Sequence, residues 1–369
     1  MEKLRVKPVV LAAATLAVAL IILLIDWLFG GEKNGTFLLI ISFFVAVVQG
    51  AIALPAAADA SMGKWIQPMK REMFAFYPLI LLSAVLFLIL GLNMEIYPWI
   101  HIHHEWLNTT FFFTRNFLML VISFVLAHFY VRASLRKSTN TGTWAVLYLF
   151  SFVITQSLVA VDWVMSLEFP WISTLFGGIF FMESFYAGIA VLAMVTSHHL
   201  HHVSKDAKFY KVLRDSAIFM FGFALAWAGL FYAQYLVIWY GNLPGEVSFY
   251  AVRMSRSPYH FIFYLHILML FIIPFVGLLS KKLKQNYWYV SAMAVVVLLG
   301  IFLERVLYIL PVVHLSVIGA ILQVALVIFL GFLFYVNREQ ILSRIEKVNR
   351  PAKTPRTAVS KSGGTGRKK

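Results

Sequence analysis

The sequence contains no cysteine. Thiolate-bound iron–sulfur clusters, haem attached through cysteine, and disulfide bonds are therefore excluded as features that this chain holds by itself. Charge is also scarce, since 13% of the 369 residues are charged while 61% are hydrophobic. The mean hydropathy is +0.82. A soluble core cannot absorb this much apolar surface, so the composition predicts an integral membrane protein.

Ten apolar runs of about 20 residues predict an all-α fold with about ten transmembrane helices, which we number spans 1 to 10. The runs cover residues 9–29, 36–58, 74–92, 110–131, 144–164, 176–197, 214–240, 259–280, 287–309 and 311–336. The first run shows no small-residue cleavage pattern, so we expect it to remain in the mature protein. Residues 1–349 are predicted to form a single polytopic membrane domain. Residues 350–369, rich in Pro, Gly, Ser and Lys, are predicted to form a disordered basic cytoplasmic tail.

The basic residues are distributed unevenly between the two sets of loops. All but five of the 31 Lys and Arg residues fall in the N-terminal segment, in alternate loops or in the tail. The five on the opposite side are Lys33, Arg115, Arg253, Arg256 and Arg305. Because positive residues remain on the inner side of a membrane, both termini are predicted to be cytoplasmic. The net charge of +15 is then a topology signal, which argues against nucleic acid as a partner.

Polar residues collect near the predicted outer ends of the spans. Asp162 ends span 5, Glu183 lies about two turns into span 6, and Gln234 lies close to the end of span 7. Arg115, His260, Glu304, Arg305 and His314 fall at similar depth. An ionisable side chain in a membrane costs about 2.5–3.5 kcal/mol, so it normally faces the protein interior and marks a substrate or proton path.

Each of these residues also has a structural explanation. Arg115, Glu304 and Arg305 fit a set of ion pairs that serves stability alone. His128 and His266 are candidates for a proton path, and a satisfied interhelical hydrogen bond explains either of them as well. A haem between two histidines would need inward-facing residues at matching depth, and no repeated pattern supports one.

The histidine cluster HHLHH at 198–202 offers ligands at positions i and i+4 but no fixed third ligand. We interpret it as a solvated helix end, and the sequence predicts no metal site.

The stretch VDWVMSLEFPWISTLFG at 161–177 places carboxylates and tryptophans between apolar runs. Asp162, Glu168 and a wall of Trp side chains at the edge of the bilayer suit a flat amphipathic ring whose tail lies in lipid. A carboxyl or imidazole group there could accept a proton as the ring is oxidised. A quinol fits this description.

Two motifs in the chain resemble those of the NrfD/PsrC-type membrane subunits of quinol-linked oxidoreductases. The first, D-W-x-M-S-L-E-x-x-W-x-S-T-x-x-G, begins at Asp162 and ends at Gly177. The second, Q-Y-x-x-I-W-Y-x-N-x-P, begins at Gln234 and ends at Pro244. Among these subunits the chain is most similar to the second quinone-binding-type subunit (ActF type) of alternative complex III, a quinol:cytochrome c oxidoreductase. The resemblance covers about residues 90–310.

The resemblance implies two similar four-helix bundles, spans 2–5 and spans 6–9, with two peripheral helices. It also implies periplasmic iron–sulfur and multihaem cytochrome subunits as partners, a paralogous membrane subunit, and residence in the bacterial inner (cytoplasmic) membrane. Iron–sulfur clusters and haems would lie on those partners, and quinone or quinol is the one cofactor expected near this chain. After Asn242 the chain has Leu243-Pro244-Gly245-Glu246-Val247, one carboxylate where such subunits usually have two. This departure favours quinol oxidation on the paralogue.

We therefore expect a membrane subunit that is not catalytic alone and that contributes a quinol-facing or proton-conducting bundle. The predicted quinol or proton contacts are Asp162, Glu168, Glu183, Gln234 and His260. The predicted supporting polar residues are Arg115, Gln156, Glu304 and Arg305, and the candidate proton path contains His128 and His266. Two alternatives stay open: a scaffold subunit of the same complex that binds no quinone, and an independent secondary transporter.

Overall fold

The computed structural model describes residues 8–29, 31, 33–102 and 105–347. The predicted tail at 350–369 lies outside the described residues, as do His103 and His104. Of the described residues, 83% are helical and none lies in a strand. Ten of its helices are long and apolar enough to cross a membrane. The prediction of an all-α, multi-pass membrane protein is thereby confirmed.

The ten spans follow the predicted runs, most of them extended by a few residues. They cover Val10–Phe29, Thr36–Ala60, Lys70–Ile96, Thr109–Leu135, Thr141–Glu168, Phe176–His202, Ala207–Gly241, Tyr259–Gly277, Tyr287–Ile309 and Val317–Val336. Two further helices, Pro244–Ser255 and Arg338–Lys347, follow spans 7 and 10. We call the end of the helices that contains the start of span 2 the site end, and the opposite end the basic end.

Span 5 differs from its prediction at its last turns. Its regular helix ends at Leu158, a π-helical turn covers Val159–Val164, and a 3-10 turn covers Met165–Glu168. Asp162 therefore lies within the helical span, rather than at the point where the chain leaves it. A π-helical turn inside a helix often marks a functional position, because the added residue redirects the side chains around it.

Span 10 begins later than predicted. Its helix starts at Val317, where the Ser316 hydroxyl accepts a hydrogen bond from the Gly319 N–H at 3.1 Å and caps the first turn. His314 lies in the preceding turn and does not open the span. Its backbone N–H donates to Lys33 O at 3.1 Å, and its carbonyl accepts from Gly35 N at 2.8 Å. The loops before spans 2 and 10 are joined by this pairing.

The helices pack in a regular order. Span 2 contacts spans 3 and 5, and span 4 packs against the same two helices. Span 6 contacts spans 7 and 9, with span 8 packed against both, while spans 1 and 10 pair with each other. Spans 2 and 6 meet at two glycines. A Cβ atom on Gly50 would lie 1.8 Å from Ser184 O, and one on Gly188 would lie 2.2 Å from Gly50 O, so only glycine permits this crossing.

Candidate functional site

The first group of buried polar residues surrounds Asp162 at the site end, and we call it the Asp162 cluster: Trp106, Arg115, Asn116, Asp162 and Trp163. The Asp162 Oδ2 atom accepts hydrogen bonds from Arg115 Nε and Asn116 Nδ2, both at 2.7 Å. Its Oδ1 atom accepts from Trp106 Nε1 at 3.0 Å. Asn116 Oδ1 in turn accepts from Trp163 Nε1 at 2.9 Å. Asp162 is completely buried.

The Asp162 cluster is balanced in charge and dense in hydrogen bonds. One carboxylate faces one guanidinium, and the Arg115 guanidinium also lies 4.1 Å from the centre of the Trp106 ring. Arg115 Nη1 donates to Trp106 O at 2.8 Å. A buried ion pair with this many partners holds its geometry, and removing either charge leaves the other uncompensated. The cluster is therefore suited to fixing the loop before span 4 onto span 5.

An apolar groove lies beside the Asp162 cluster on the outer surface of span 5. Its volume is about 310 Å³. It is lined by Trp106, Val153, Ile154, Ser157, Leu158 and Val161. Trp106 thus lines the groove and also donates to Asp162. The groove could accept an apolar chain or ring, but the Trp106 indole occupies one of the two Asp162 oxygens.

The second group lies on spans 6, 7 and 9, and we call it the Glu304 cluster: Glu183, Trp227, Glu304, Arg305 and Tyr308. Arg305 Nη2 lies 2.5 Å from Glu183 Oε2. The Tyr308 hydroxyl donates to Glu304 Oε1 at 2.8 Å, and Trp227 Nε1 donates to Glu304 Oε2 at 3.2 Å. Trp227 Nε1 also lies 3.4 Å from Glu183 Oε1. The Arg305 guanidinium packs 3.4 Å from the centre of the Phe180 ring.

The Glu304 cluster has two carboxyl groups for one guanidinium. Glu183, Glu304 and Arg305 are all completely buried. Two like charges that share a buried site oppose each other, and an uncompensated charge in such an interior costs several kcal/mol. The surplus carboxyl group distinguishes this cluster from the Asp162 cluster, in which one acid meets one base.

Next to the Glu304 cluster lie three buried polar side chains that we call the Gln234 group: Gln234, Tyr250 and His266. Gln234 is 2% exposed, Tyr250 4%, and His266 is completely buried. Within the described structure, both Gln234 amide atoms, the Tyr250 hydroxyl and His266 Nε2 have no hydrogen-bond partner. Burial, together with the Glu304 carboxylate, raises the pKa of the Tyr250 hydroxyl, so this group stays a donor at neutral pH.

Glu168 has a structural partner. It forms an ion pair with Arg253 of the helix Pro244–Ser255, whose side chain is 1% exposed. Arg253 also donates to Leu307 O at 3.1 Å, Tyr308 O at 3.2 Å and Phe249 O at 2.8 Å. Carbonyl groups in the last turn of a helix have no partner within it, so Arg253 caps span 9 and connects it to the 3-10 turn that ends span 5.

Gln156 lies deeper, in a chain of hydrogen bonds that joins spans 2, 4, 5 and 6. Ser184 Oγ donates to Gln156 Oε1 at 2.8 Å, and Gln156 Nε2 donates to Gln49 Oε1 at 2.9 Å. Gln49 Nε2 then donates to Ser123 Oγ at 3.2 Å. These neutral groups satisfy one another at the crossing of Gly50 and Gly188, which is a means of holding helices together.

The predicted histidines occupy three different environments. His266 is buried beside Trp227, with ring centres 5.7 Å apart. His128 is half-buried, and its ring packs near Tyr77. His260 is exposed at the start of span 8, so the structure does not bring it to either cluster. The described residues contain no group of three or more His, Cys, Asp or Glu side chains that could hold a metal ion. In the stretch 198–202, His201 and His202 are exposed as expected for a solvated helix end, whereas His199 is buried against Phe209.

The structure thus divides the predicted polar pool into two clusters and adds residues that the sequence reasoning missed. The missed residues are Trp106, Asn116, Trp227, Tyr250, Arg253 and Tyr308. Two of them had a usable signal: Asn116 is adjacent to Arg115, and Tyr308 follows Glu304 by one helical turn. The others depend on loop conformation or on contacts between distant spans.

Comparison with known proteins gives no further identification. No protein-family model matches the chain. No curated protein matches it either.

Proposed function

We propose that the chain is an integral membrane subunit of a quinol:electron-acceptor oxidoreductase, with cytochrome c as the expected acceptor. In this proposal spans 2–5 and spans 6–9 form two similar four-helix bundles, and spans 1 and 10 are peripheral. Both termini are cytoplasmic, and the site end faces the periplasm of a bacterium. The positions of the Lys and Arg residues and the packing order of the spans support this arrangement.

The observation that carries the proposal is the Glu304 cluster. A structural ion pair needs one acid for one base, whereas here Glu183 pairs with Arg305 and Glu304, joined to Glu183 through Trp227 Nε1, adds a second acid to the same completely buried site. A cluster with a surplus carboxyl group holds a proton that it can release and take back. Quinol oxidation releases protons, so a buried proton acceptor near one membrane face suits this reaction.

The electron carriers belong to partners in this proposal. Since the sequence contains no cysteine, thiolate-bound iron–sulfur clusters and covalently attached haems lie on periplasmic iron–sulfur and multihaem cytochrome subunits. A paralogous membrane subunit completes the assembly. This chain supplies helices, proton-handling groups and a quinol-facing surface.

The experiment is purification of the tagged chain in mild detergent from its native membrane. We expect iron–sulfur and multihaem subunits to copurify, and the preparation to reduce cytochrome c with a short-chain quinol. Glu304→Gln should lower this turnover at least tenfold, because the amide keeps the size of the side chain and one acceptor oxygen but does not bind or release a proton at neutral pH. A chain that purifies alone and supports no quinol oxidation would contradict the proposal.

A scaffold role is the second candidate, and the Asp162 cluster favours it for spans 2–5. Both oxygens of the Asp162 carboxylate accept hydrogen bonds from Arg115, Asn116 and Trp106, as expected for a rigid support, although Arg115 Nη2 has no partner among the described residues. A secondary transporter is less suited to this fold. Spans 2 and 6 are locked at Gly50 and Gly188 and by the Gln156 chain, whereas alternating access requires such halves to rock.

A further inference from the structure

The Gln234 group contains four buried polar atoms that the rest of the described chain does not satisfy. They are Gln234 Oε1 and Nε2, Tyr250 Oη and His266 Nε2. Most buried polar atoms in proteins have a hydrogen-bond partner, and each exception requires an explanation. Three exceptions on three neighbouring helices are better explained by a common ligand than by independent defects.

Aromatic contacts place Tyr250 and His266 around the same two phenylalanine rings, and helical spacing adds Gln234. The Phe231 ring centre lies 6.1 Å from that of Tyr250 and 5.5 Å from that of His266. Phe263 lies 6.3 Å from Tyr250 and 5.4 Å from His266. Gln234 follows Phe231 by three residues in span 7, so both lie on one face of that helix. Phe231 and Phe263 therefore provide apolar walls, and the unsatisfied atoms provide polar contacts.

The unsatisfied atoms offer both hydrogen-bond donors and an acceptor. His266 Nδ1 lies 3.3 Å from Ile262 O, and when Nδ1 donates to this carbonyl, Nε2 is left as an acceptor. The Tyr250 hydroxyl donates, and the Gln234 amide can do either. A flat ring with two oxygens, hydroxyl in one redox state and carbonyl in the other, can pair with such a set in both states.

We propose that Gln234, Tyr250 and His266 bind the head ring of a quinone or quinol between span 7, span 8 and the helix Pro244–Ser255. This inference rests on the proposed function and locates its ligand in spans 6–9. Contacts to this ring come from neutral groups. The nearby Arg253 is already engaged by Glu168 and three carbonyl oxygens, so an anionic lipid headgroup would find no available cation from it.

The test is photolabelling of the purified assembly with azido-substituted short-chain ubiquinone and menaquinone, followed by peptide mapping. We expect label on peptides within residues 231–266. The variants Gln234→Leu and Tyr250→Phe should each reduce labelling and quinone retained per protein by about 3- to 10-fold, the loss expected for one or two hydrogen bonds. Their melting temperatures should be unchanged or raised, since each removes a polar atom that the protein does not satisfy.

Gln323→Leu is the matched control, because Gln323 is a completely buried glutamine in span 10, away from this group. Its labelling should equal that of the unaltered chain. Label confined to residues 106–161, along the groove beside span 5, would overturn the inference, as would unchanged quinone retention in both variants. If the assembly oxidises quinol normally in either case, the proposed function survives and only the site fails. If the unaltered assembly neither binds nor oxidises quinol, both fail.

Discussion

The Asp162 cluster and the Glu304 cluster lie at the same end of the helices and use similar residue types, yet they differ in their balance of acidic and basic side chains. In the first, one acid meets one base, and an amide and an indole supply the other hydrogen bonds to the carboxylate, while Arg115 Nη2 has no partner among the described residues. In the second, two acids meet one base, and a neighbouring glutamine, tyrosine and histidine retain unused hydrogen-bonding atoms. A cluster with equal numbers of acids and bases is suited to maintaining structure, whereas a cluster with a surplus acid and unsatisfied neighbours is suited to holding a proton or a ligand.

The largest loss of stability should come from removing one charge of the Asp162 cluster. Arg115→Leu leaves Asp162 buried with no opposite charge and should destabilise the chain by about 3–5 kcal/mol. Thermal unfolding in detergent measures this loss, and Arg115→Leu combined with Asp162→Leu should recover much of it. Removal of the exposed Asp206–Lys208 pair, in which each side chain is 59% exposed, is the control and should change little. Equal stability of the Arg115 variant and the control would show that the cluster has no structural role.

Arg253 connects the two halves and should rank second. Arg253→Met removes bonds to three carbonyls and to Glu168, and should destabilise the chain by about 1.5–3 kcal/mol, the range for hydrogen bonds to charged groups. Arg256→Met, at the exposed residue that follows the same helix, is the matched control. The unfolding temperature of both variants provides the measurement. An equal, small shift of the unfolding temperature in both variants would show that Arg253 does not stabilise the contact between spans 5 and 9.

Trp106→Phe sharpens the comparison with a smaller change. The phenyl ring keeps an aromatic face for Arg115 but removes the indole N–H that donates to Asp162 at 3.0 Å. We expect a loss of about 0.5–1.5 kcal/mol in stability with quinol turnover close to that of the unaltered assembly. A turnover loss that exceeds the stability loss would instead assign redox or proton work to the Asp162 cluster.

The features that depend only on a local stretch of sequence could be predicted. The runs of apolar residues predicted the ten spans because a membrane helix is defined by its own length and composition. The burial of Asp162, Glu183 and Glu304 agrees with the depth argument, since an ionisable group in such a helix faces the interior.

The partners of the buried polar side chains could not be predicted from the sequence, because they depend on which spans pack against each other. Asp162 and Glu183 lie in consecutive spans at similar predicted depth, which suggests a single polar site. In the structure they belong to different clusters. The sequence indicates only that Arg253 is a charge in an outer loop. Its partners Glu168 and Leu307 lie in spans 5 and 9, which are distant in sequence. The apolar run predicts that span 10 begins at residue 311, because residues 311–316 are largely apolar. In the structure the helix begins only at Val317, because Ser316 caps its first turn and the backbone of His314 pairs with the loop before span 2.

The most direct test of this account is a structure of the assembled complex with quinol bound, determined by cryo-electron microscopy. Our account predicts ring density in contact with Gln234, Tyr250 and His266, and an Asp162 cluster with the same contacts in the presence and absence of quinol. Ring density in the groove beside Trp106, with the Asp162–Arg115 pair rearranged around it, would contradict the assignment of a structural role to the Asp162 cluster and of quinol binding to the Gln234 group.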